Sequence, residues 1–585
     1  MSLSTTPPAQ QRQERRALLL LALIVLLGLW ARIWGITFGL PFDYHIDETP
    51  YTVSALKLPA LDKISPLFGP YQVLLLLELQ ITKLLAPLLG RLAIPAYLDF
   101  AAPNAATIRL IGRLTSAWLG AATVIPLYFL GRRIWSRKVG LIAALFLALC
   151  FFHVRKAHYG VPDATACLFA VWAVYACTGL ARNRTWRQYL WTGLLAGVAI
   201  AAKQLTWPLV VTIFLYHILP EPSAGEGTAP GPGAWLRRLF DGRLILAALA
   251  TVAAFLATSP EVVITPQRYY VFWKYVASLG ARGGFERLAV DSGHAWQVYL
   301  EALRWGMGDL VLALALAGLV LVVAQRSRQM LFFSFLFIYL AFLLLPGHIF
   351  FARYLMPVTP FLALAAAAFL VYAVERLPGR PALRAAVATA VVALAIAEPV
   401  TAIVRHDILM TRTDTRTLAK EWIESNVPEG SHLALELWWF SPPISSATYH
   451  TPLSRRTFEI SLTGPYGLSE RSTKTGESQG TPTVEDYAAQ GIEYLVTNNL
   501  TSGSQMLDPA EERAKRAFYR SLDERAELVA VFSPYAGKRR PPRVFEQTYG
   551  PATHLDWLER PGPEIKIYRV PGVAAASGEA GDEGR

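Results

Sequence analysis

The feature that most narrows what this chain can become is a recurring apolar run of about 20 residues, the length a helix needs to cross a hydrocarbon core. Such runs lie at 17–36, 109–131, 139–158, 163–181, 244–260, 309–324, 330–346, 355–374 and 384–403, and another, at 189–219, is too long for one upright helix. Backbone groups find no water inside a bilayer, so runs of this kind can span it only as helices. Composition agrees. Of the 585 residues 53% are hydrophobic and 17% charged, more apolar side chain than a soluble surface of this size could cover. The expected fold is a polytopic α-helical membrane protein.

Short basic clusters separate the runs. Arg12, Arg15 and Arg16 precede the first one, and no small-residue cleavage site follows it, so it reads as a retained helix and not a removed signal peptide. Further clusters stand at Arg132/Arg133/Arg137/Lys138, Arg182/Arg184/Arg187, Arg237/Arg238/Arg243, Arg326/Arg328 and Arg376/Arg380/Arg384. The positive-inside rule puts all of them in the cytoplasm, each stretch between two clusters must then cross an even number of times, and the parity gives about eleven spans. The N-terminus is expected inside and the C-terminus outside, in a cell (plasma or inner) membrane. The formal charge of +12 is thus a topology signal and not a nucleic-acid footprint, since the arginines do not share one amphipathic face. Cys150, Cys167 and Cys177 sit inside apolar runs, as small core residues do.

Residues 1–404 read as the membrane domain. Two long outer segments, 38–108 and 261–307, mix charge and aromatics with apolar residues. Tyr71–Leu89 is interrupted by Glu78 and Lys83, and both segments suit helices lying in the interface, whether they bind something or only seal the bundle. Beyond residue 404 the composition becomes that of a soluble domain, 405–572. Asp414 or Thr413 caps a helix through Leu418, Trp422 and Ile423, strand-like runs follow at 432–438, 492–497, 528–532 and 565–570, and a charged helix is expected near 509–522. A C-terminal extracytoplasmic α/β domain is the expectation, followed by a disordered tail, 573–585, of small and acidic residues.

No Walker loop, dinucleotide fingerprint, zinc-protease helix or Asp-x-Asp triplet occurs in the chain. What remains are the polar apices of the hairpins: Asp47 and Glu48 after the first span, His158 to Asp163, Lys203, and His348 to Tyr354. The parity gathers them at one face, the outer one. Ionisable groups at the edge of a low-dielectric bundle are costly to keep without a partner or a task.

These residues carry a resemblance. Asp47-Glu48, the stretch Arg109 to Arg113 leading to Tyr128 to Arg133, the turn His158 to Asp163, the segment Gly197 to Lys203 and the turn Arg353 to Pro357, in that order, resemble the polyprenyl-phosphate-sugar-dependent glycosyltransferases of the GT-C fold. Within them the chain is similar to bacterial members of glycosyltransferase family 39, which includes protein O-mannosyltransferases and aminoarabinose transferases acting on lipid A. The likeness covers about 17–403, and Asp414 to Arg416 and Ile565 to Tyr568 resemble the outer domains of bacterial relatives. The sugar-binding MIR repeats of eukaryotic protein mannosyltransferases are missing, which weighs against protein as the acceptor.

The resemblance implies a polyprenyl-phosphate sugar donor, a bilayer and an extracytoplasmic acceptor as partners, with no nucleic acid. A lipid phosphate leaves as a stable anion, so cations must hold it while a carboxylate takes the acceptor's proton. Asp47 matches the family's first acid and Asp163 its second, with Glu48 beside them as a third catalytic candidate. Lys203 and Arg353 are the phosphate-binding candidates, joined at the last turn by Tyr354 and His348; against this stand snorkelling for Lys203 and a structural ion pair for Arg353. No organic cofactor is implied and a divalent metal is left open, since His45, His158 and His348 beside Asp47 have no enforcing spacing. Two rival classes remain: a secondary transporter, which should show inverted repeats and midplane ions, and a non-catalytic anchor for the outer domain.

Overall fold

The computed structural model describes residues 8–57, 60–89, 95–180, 183–219, 238–282, 288–289, 295–325, 329–345, 351–436, 440–444, 458–462, 483–503, 505–506, 509–541 and 545–572. His348, the tail from residue 573, and parts of the two long segments and of the run 432–438 fall outside them.

Up to residue 410 the described chain is almost wholly helical. It begins with α1 (Pro8–Ile33), α2 (Glu48–Leu56), α3 (Pro70–Leu89), α4 (Ala105–Ala122), α5 (Val124–Ile134), α6 (Arg137–Ala148), α7 (Phe151–Lys156), α8 (Asp163–Leu180) and α9 (Trp186–Ala202), and it closes with the 30-residue helix Pro381–Met410. By length and composition six helices could cross a membrane, or seven if the bent pair Ala295–Met307 and Asp309–Ala324 counts as one. The other expected spans are shorter or broken helices. Leu149 and Cys150 part α6 from α7, Lys203 ends α9, and the run 330–346 yields the helix Ser334–Leu343. The bent pair turns through 119° at Gly308, whose φ of +84° only glycine adopts freely.

The stretch Tyr71–Leu89, expected in the interface, forms the continuous helix α3 and is among the six. Its acid does not stand alone: the Thr115 hydroxyl on α4 donates to Glu78 at 2.8 Å. Lys83 is exposed near the helix end, where its stem can carry the charge toward water.

A bilayer is written into the surface. Leu18, Leu19, Leu20, Leu23, Leu26 and Leu27 on α1 are exposed, an apolar area that water would not tolerate. Lipid gives helices no hydrophobic drive toward one another, so close packing must do it. A Cβ added at Gly193 or Gly197 on α9 would collide with the carbonyl oxygen of Ala247 or Thr251, so the helix Gly242–Thr258 approaches along a small-residue seam.

The C-terminal domain begins at the helix Thr415–Asn426, capped by the Asp414 carboxylate. Its sheet has strands β1 (His432–Leu435), β2 (Glu459–Leu462), β3 (Tyr494–Asn498), β4 (Glu527–Phe532) and β5 (Ile565–Arg569) in the order β2-β1-β3-β5-β4, with β1 parallel to β2 and β3 and the β5 pairings antiparallel. Alternate residues face opposite layers. Leu433, Leu435, Val496, Ile565 and Ile567 pack with Ala419 and Ile423, while Ala434, Leu495 and Tyr568 pack with Phe518 and Leu522 of the helix Pro509–Arg525. The sequence pattern found four of these strands; β2 was not foreseen.

Candidate functional site

The site is built where the helical bundle meets the C-terminal domain. After α1 the chain turns through Gly35 and Gly39, both at positive φ, and delivers Asp47 to the N-terminus of α2. An aspartate there ordinarily caps the helix with its own carboxylate. Asp47 does not: its Oδ2 accepts from Arg353 Nη1 at 2.5 Å. Arg353 lies on the 3₁₀ turn Ala352–Val358, its guanidinium 4.2 Å from the Phe351 ring centre and 4.5 Å from that of Tyr549.

A second acid–cation pair stands beside the first. Asp163 opens α8 and pairs with the ammonium of Lys203, which α9 releases into extended backbone (φ −156°, ψ 111°). The same ammonium lies 5.0 Å from the ring centre of Tyr354, the residue after Arg353. Thus Asp47, Asp163, Lys203, Arg353 and Tyr354 come together from four separate stretches of chain.

Glu48 does not join them. It accepts from Arg113 Nε and Nη2, both at 2.8 Å, and from the Gly160 amide at 2.8 Å. Arg113 in turn donates to the carbonyls of Ile36 and Phe38. Both side chains are 0% exposed, whereas Asp47 is 25% and Arg353 16% exposed. The geometry makes Glu48 a tie between α2, α4 and the 160 turn, and leaves Asp47 as the carboxylate a ligand can reach. His348 lies outside the described residues.

Sequence reasoning missed Arg155, Lys156, Glu546 and Tyr549. Arg155 donates to the carbonyls of Glu546, Gly550 and Pro551 at 2.9, 2.9 and 2.6 Å and pairs with the Glu546 carboxylate at 3.2 Å; Lys156 pairs with the same carboxylate. Burial alone would raise the Glu546 carboxyl, but the charges of Lys156 and Arg155 outweigh it and hold it below its ordinary value. Two cations inside the apolar run 139–158 were a legible signal, because charge is not placed there idly. Their partner was not, since Glu546 is almost four hundred residues away. In this set four cations face three carboxylates, so an incoming anion meets a positive excess.

Among the described residues one group of three could hold a metal ion, His158, His406 and Asp407, all buried with ligand atoms within 4.8 Å of one another. His158 places one ring nitrogen 3.0 Å from the Val154 carbonyl and the other 3.0 Å from that of Trp34. The grouping left open around Asp47 is not among the described residues, which exclude His348: His45 stacks on Tyr159 with ring centres 4.1 Å apart, and its ring nitrogens have no hydrogen-bond partner there.

Residues 108–231 match the family described as dolichyl-phosphate-mannose-protein mannosyltransferase. That segment holds Arg113, Asp163 and Lys203, so the resemblance stated from the motifs is matched independently there. No curated protein matches the chain. Among solved structures, ArnT from Cupriavidus metallidurans bound to undecaprenyl phosphate aligns at 12% identity over 95% of this chain and 98% of its own, with a TM-score of 0.48. The Archaeoglobus fulgidus oligosaccharyltransferase in complex with Zn and sulfate aligns at 16% identity, 88% and 72%, with a TM-score of 0.47. AglB of the same organism, in complex with an inhibitory peptide and a dolichol-phosphate, aligns at 12% identity, 92% and 77%, with a TM-score of 0.46.

Proposed function

We propose that this chain is a membrane glycosyltransferase that moves a sugar from a polyprenyl-phosphate-linked donor to an acceptor at the bundle end carrying the C-terminal domain. The observation that carries the reading is the pairing there of two carboxylates with two partly exposed cations, the open Asp47 with Arg353 and the buried Asp163 with Lys203. The family match over 108–231 supports it.

In this reading the donor phosphate binds Arg353 and Lys203. Arg353 meets Asp47 through Nη1, and its remaining face can grip phosphate oxygens in the guanidinium plane. As the sugar–phosphate bond breaks, the leaving phosphate gains charge, and the surrounding cations stabilise it without a general acid. Asp47 takes the proton from the acceptor as it attacks the anomeric carbon, in one displacement that inverts configuration. Asp163 holds the Lys203 ammonium toward the phosphate. Glu48 positions the turn that carries Asp47. A divalent ion at His158, His406 and Asp407 is compatible with the donor set, and no step is assigned to it.

The same proposal places the C-terminal domain outside the cell membrane and the basic ends of the helices in the cytoplasm. A cysteine at Ser425, exposed on the C-terminal domain, is then labelled by an impermeant reagent, and one at Ser136 is not.

The function is tested with the purified full chain in lipid nanodiscs, supplied with polyprenyl phosphates bearing mannose, glucose or galactose. Binding of the lipid phosphate, together with loss of a surface glycan, glycolipid or glycoprotein in a deletion strain, is the expected result. A chain that ignores every polyprenyl phosphate, in a strain with an unchanged surface, overturns it.

A further inference from the structure

Among the described residues, each buried carboxylate faces a cation, a histidine or a hydrogen-bond donor of another residue, with one exception. Asp43, Glu48, Asp163, Asp414 and Glu546 face Arg or Lys, Asp407 faces two histidines, and Glu436 accepts hydrogen bonds from Tyr519 and Asn498. Glu261 has none of these. It is 1% exposed, and among the described residues it forms no ion pair and its Oε2 has no hydrogen-bond partner. Two groups of the same segment share the defect: the Ser259 hydroxyl, also 1% exposed, and the indole N–H of Trp273 are buried with no hydrogen-bond partner among the described residues. Leaving such a group dry is costly, so three within fifteen residues mark a place built for something else to satisfy them.

The place adjoins the candidate site. Gln204, the residue after Lys203, donates to the Tyr269 hydroxyl at 3.4 Å. Tyr269 lies within the electrostatic reach of Glu261, and its ring centre is 6.0 Å from that of Trp273. The segment Ser259 to Trp273 follows the helix Gly242–Thr258 at the end of the bundle where α9 gives up Lys203. Burial pushes the Glu261 carboxyl up to about 8. A neutral acid both donates and accepts, as a sugar hydroxyl does, and the faces of Tyr269 and Trp273 offer the flat apolar surface that sugar C–H groups cover.

We propose that Ser259, Glu261 and Trp273, with the ring of Tyr269, form the subsite that receives the hydroxyl groups of the transferred sugar beside the Lys203–Asp163 pair. The inference rests on the donor reading above and adds to it which residues recognise the sugar, as distinct from the phosphate. Glu261 is a specificity residue here and takes no part in proton transfer.

The distinction sets the experiment. Dissociation constants for bare polyprenyl phosphate and for polyprenyl phosphates carrying mannose, glucose or galactose are measured on the full chain in nanodiscs, for wild type, Glu261→Gln and Glu261→Leu. In Glu261→Leu the sugar's contribution to the tightest of the three donors falls by about tenfold, the worth of one to two hydrogen bonds, while bare lipid phosphate binds as in wild type. Glu261→Gln, which still donates and accepts, keeps most of that contribution. Removing an unsatisfied buried acid relieves a penalty, so Glu261→Leu melts at or above the wild-type temperature, whereas a structural Glu261 would lower it. An unchanged sugar contribution, an equal loss for bare and sugar-bearing lipids, or a marked drop in melting temperature each overturns the proposal. A wild-type chain that binds no polyprenyl phosphate removes the donor reading, and this inference with it.

Discussion

Asp47 and Glu48 are neighbours in sequence and opposites in the structure. Asp47 meets one donor of one arginine and keeps a quarter of its side chain open, while Glu48 is wholly enclosed and accepts three hydrogen bonds from Arg113 and Gly160. The same contrast separates the two groups of charges around them. In the front pairs Asp47, Arg353 and Lys203 stay partly exposed and only Asp163 is buried; the rear pairs, with Arg113 and Arg155, are dry and bonded to backbone carbonyls of distant segments. The difference teaches how to sort charge in an apolar bundle. A pair that also satisfies backbone groups is holding chain segments together, and a pair left with spare donors and solvent on one side is available to a ligand.

The largest effect expected from this sorting is catalytic and confined to the front. Asp47→Asn keeps the shape and a hydrogen-bonding oxygen but cannot take a proton, so turnover should fall by roughly 10²–10⁴-fold. Donor affinity and melting temperature should move little, because the missing interaction belongs mainly to the transition state. Near wild-type turnover in Asp47→Asn, or a product that retains the donor's anomeric configuration, would falsify the assignment of Asp47 as the base.

At the rear the expected effect is on stability. Glu48→Gln strands the Arg113 guanidinium where water cannot reach it, at a cost of about 3–5 kcal/mol. A sharply lower melting temperature of the solubilised protein is the readout. A stable Glu48→Gln variant with abolished turnover would reverse the roles given to the two acids.

Much of the arrangement was legible in the sequence because membrane helices announce themselves by length and their ends by arginine. Asp47, Asp163, Lys203 and Arg353 were found as polar breaks at hairpin apices, and the structure brings them together. The unbroken length of helix α3 was harder to read, because a charge in a run looks like an interruption until its partner, Thr115, is seen. Glu546 and Tyr549 were invisible for another reason. Their meaning comes from docking the C-terminal domain on Arg155 and Lys156, a contact between residues with no local pattern in common. Glu48 and Asp47 could not have been told apart from sequence, since only burial separates them.

A smaller effect tests the grip of the front pair. Arg353→Ala should weaken binding of polyprenyl phosphate by about a hundredfold, and Arg353→Lys should recover only part of it, because an ammonium cannot engage two phosphate oxygens in one plane. Equal affinity in the three proteins would move Arg353 to the rear class of structural pairs.

The smallest effect extends the contrast to a third kind of buried acid, one held mainly by neutral groups. Glu436, at the end of β1, accepts from the Asn498 amide at 2.8 Å, from the Asn498 side chain at 3.1 Å and from the Tyr519 hydroxyl. Burial pushes its carboxyl up to about 8, which these hydrogen bonds and the charge of Lys515 only partly offset. The sign follows from proton counting. Between the ordinary carboxyl value of 4.5 and about 8 the folded chain binds the proton more tightly than the unfolded one, so this group's contribution to stability is lost as pH rises through that window. Melting curves at pH 5, 6, 7 and 8 should therefore show Glu436→Gln losing less stability toward pH 8 than wild type does, by roughly 3 °C or more. Parallel pH profiles for the two proteins would show that Glu436 is ionised throughout, and that three neutral donors can hold a buried carboxylate as firmly as one arginine does.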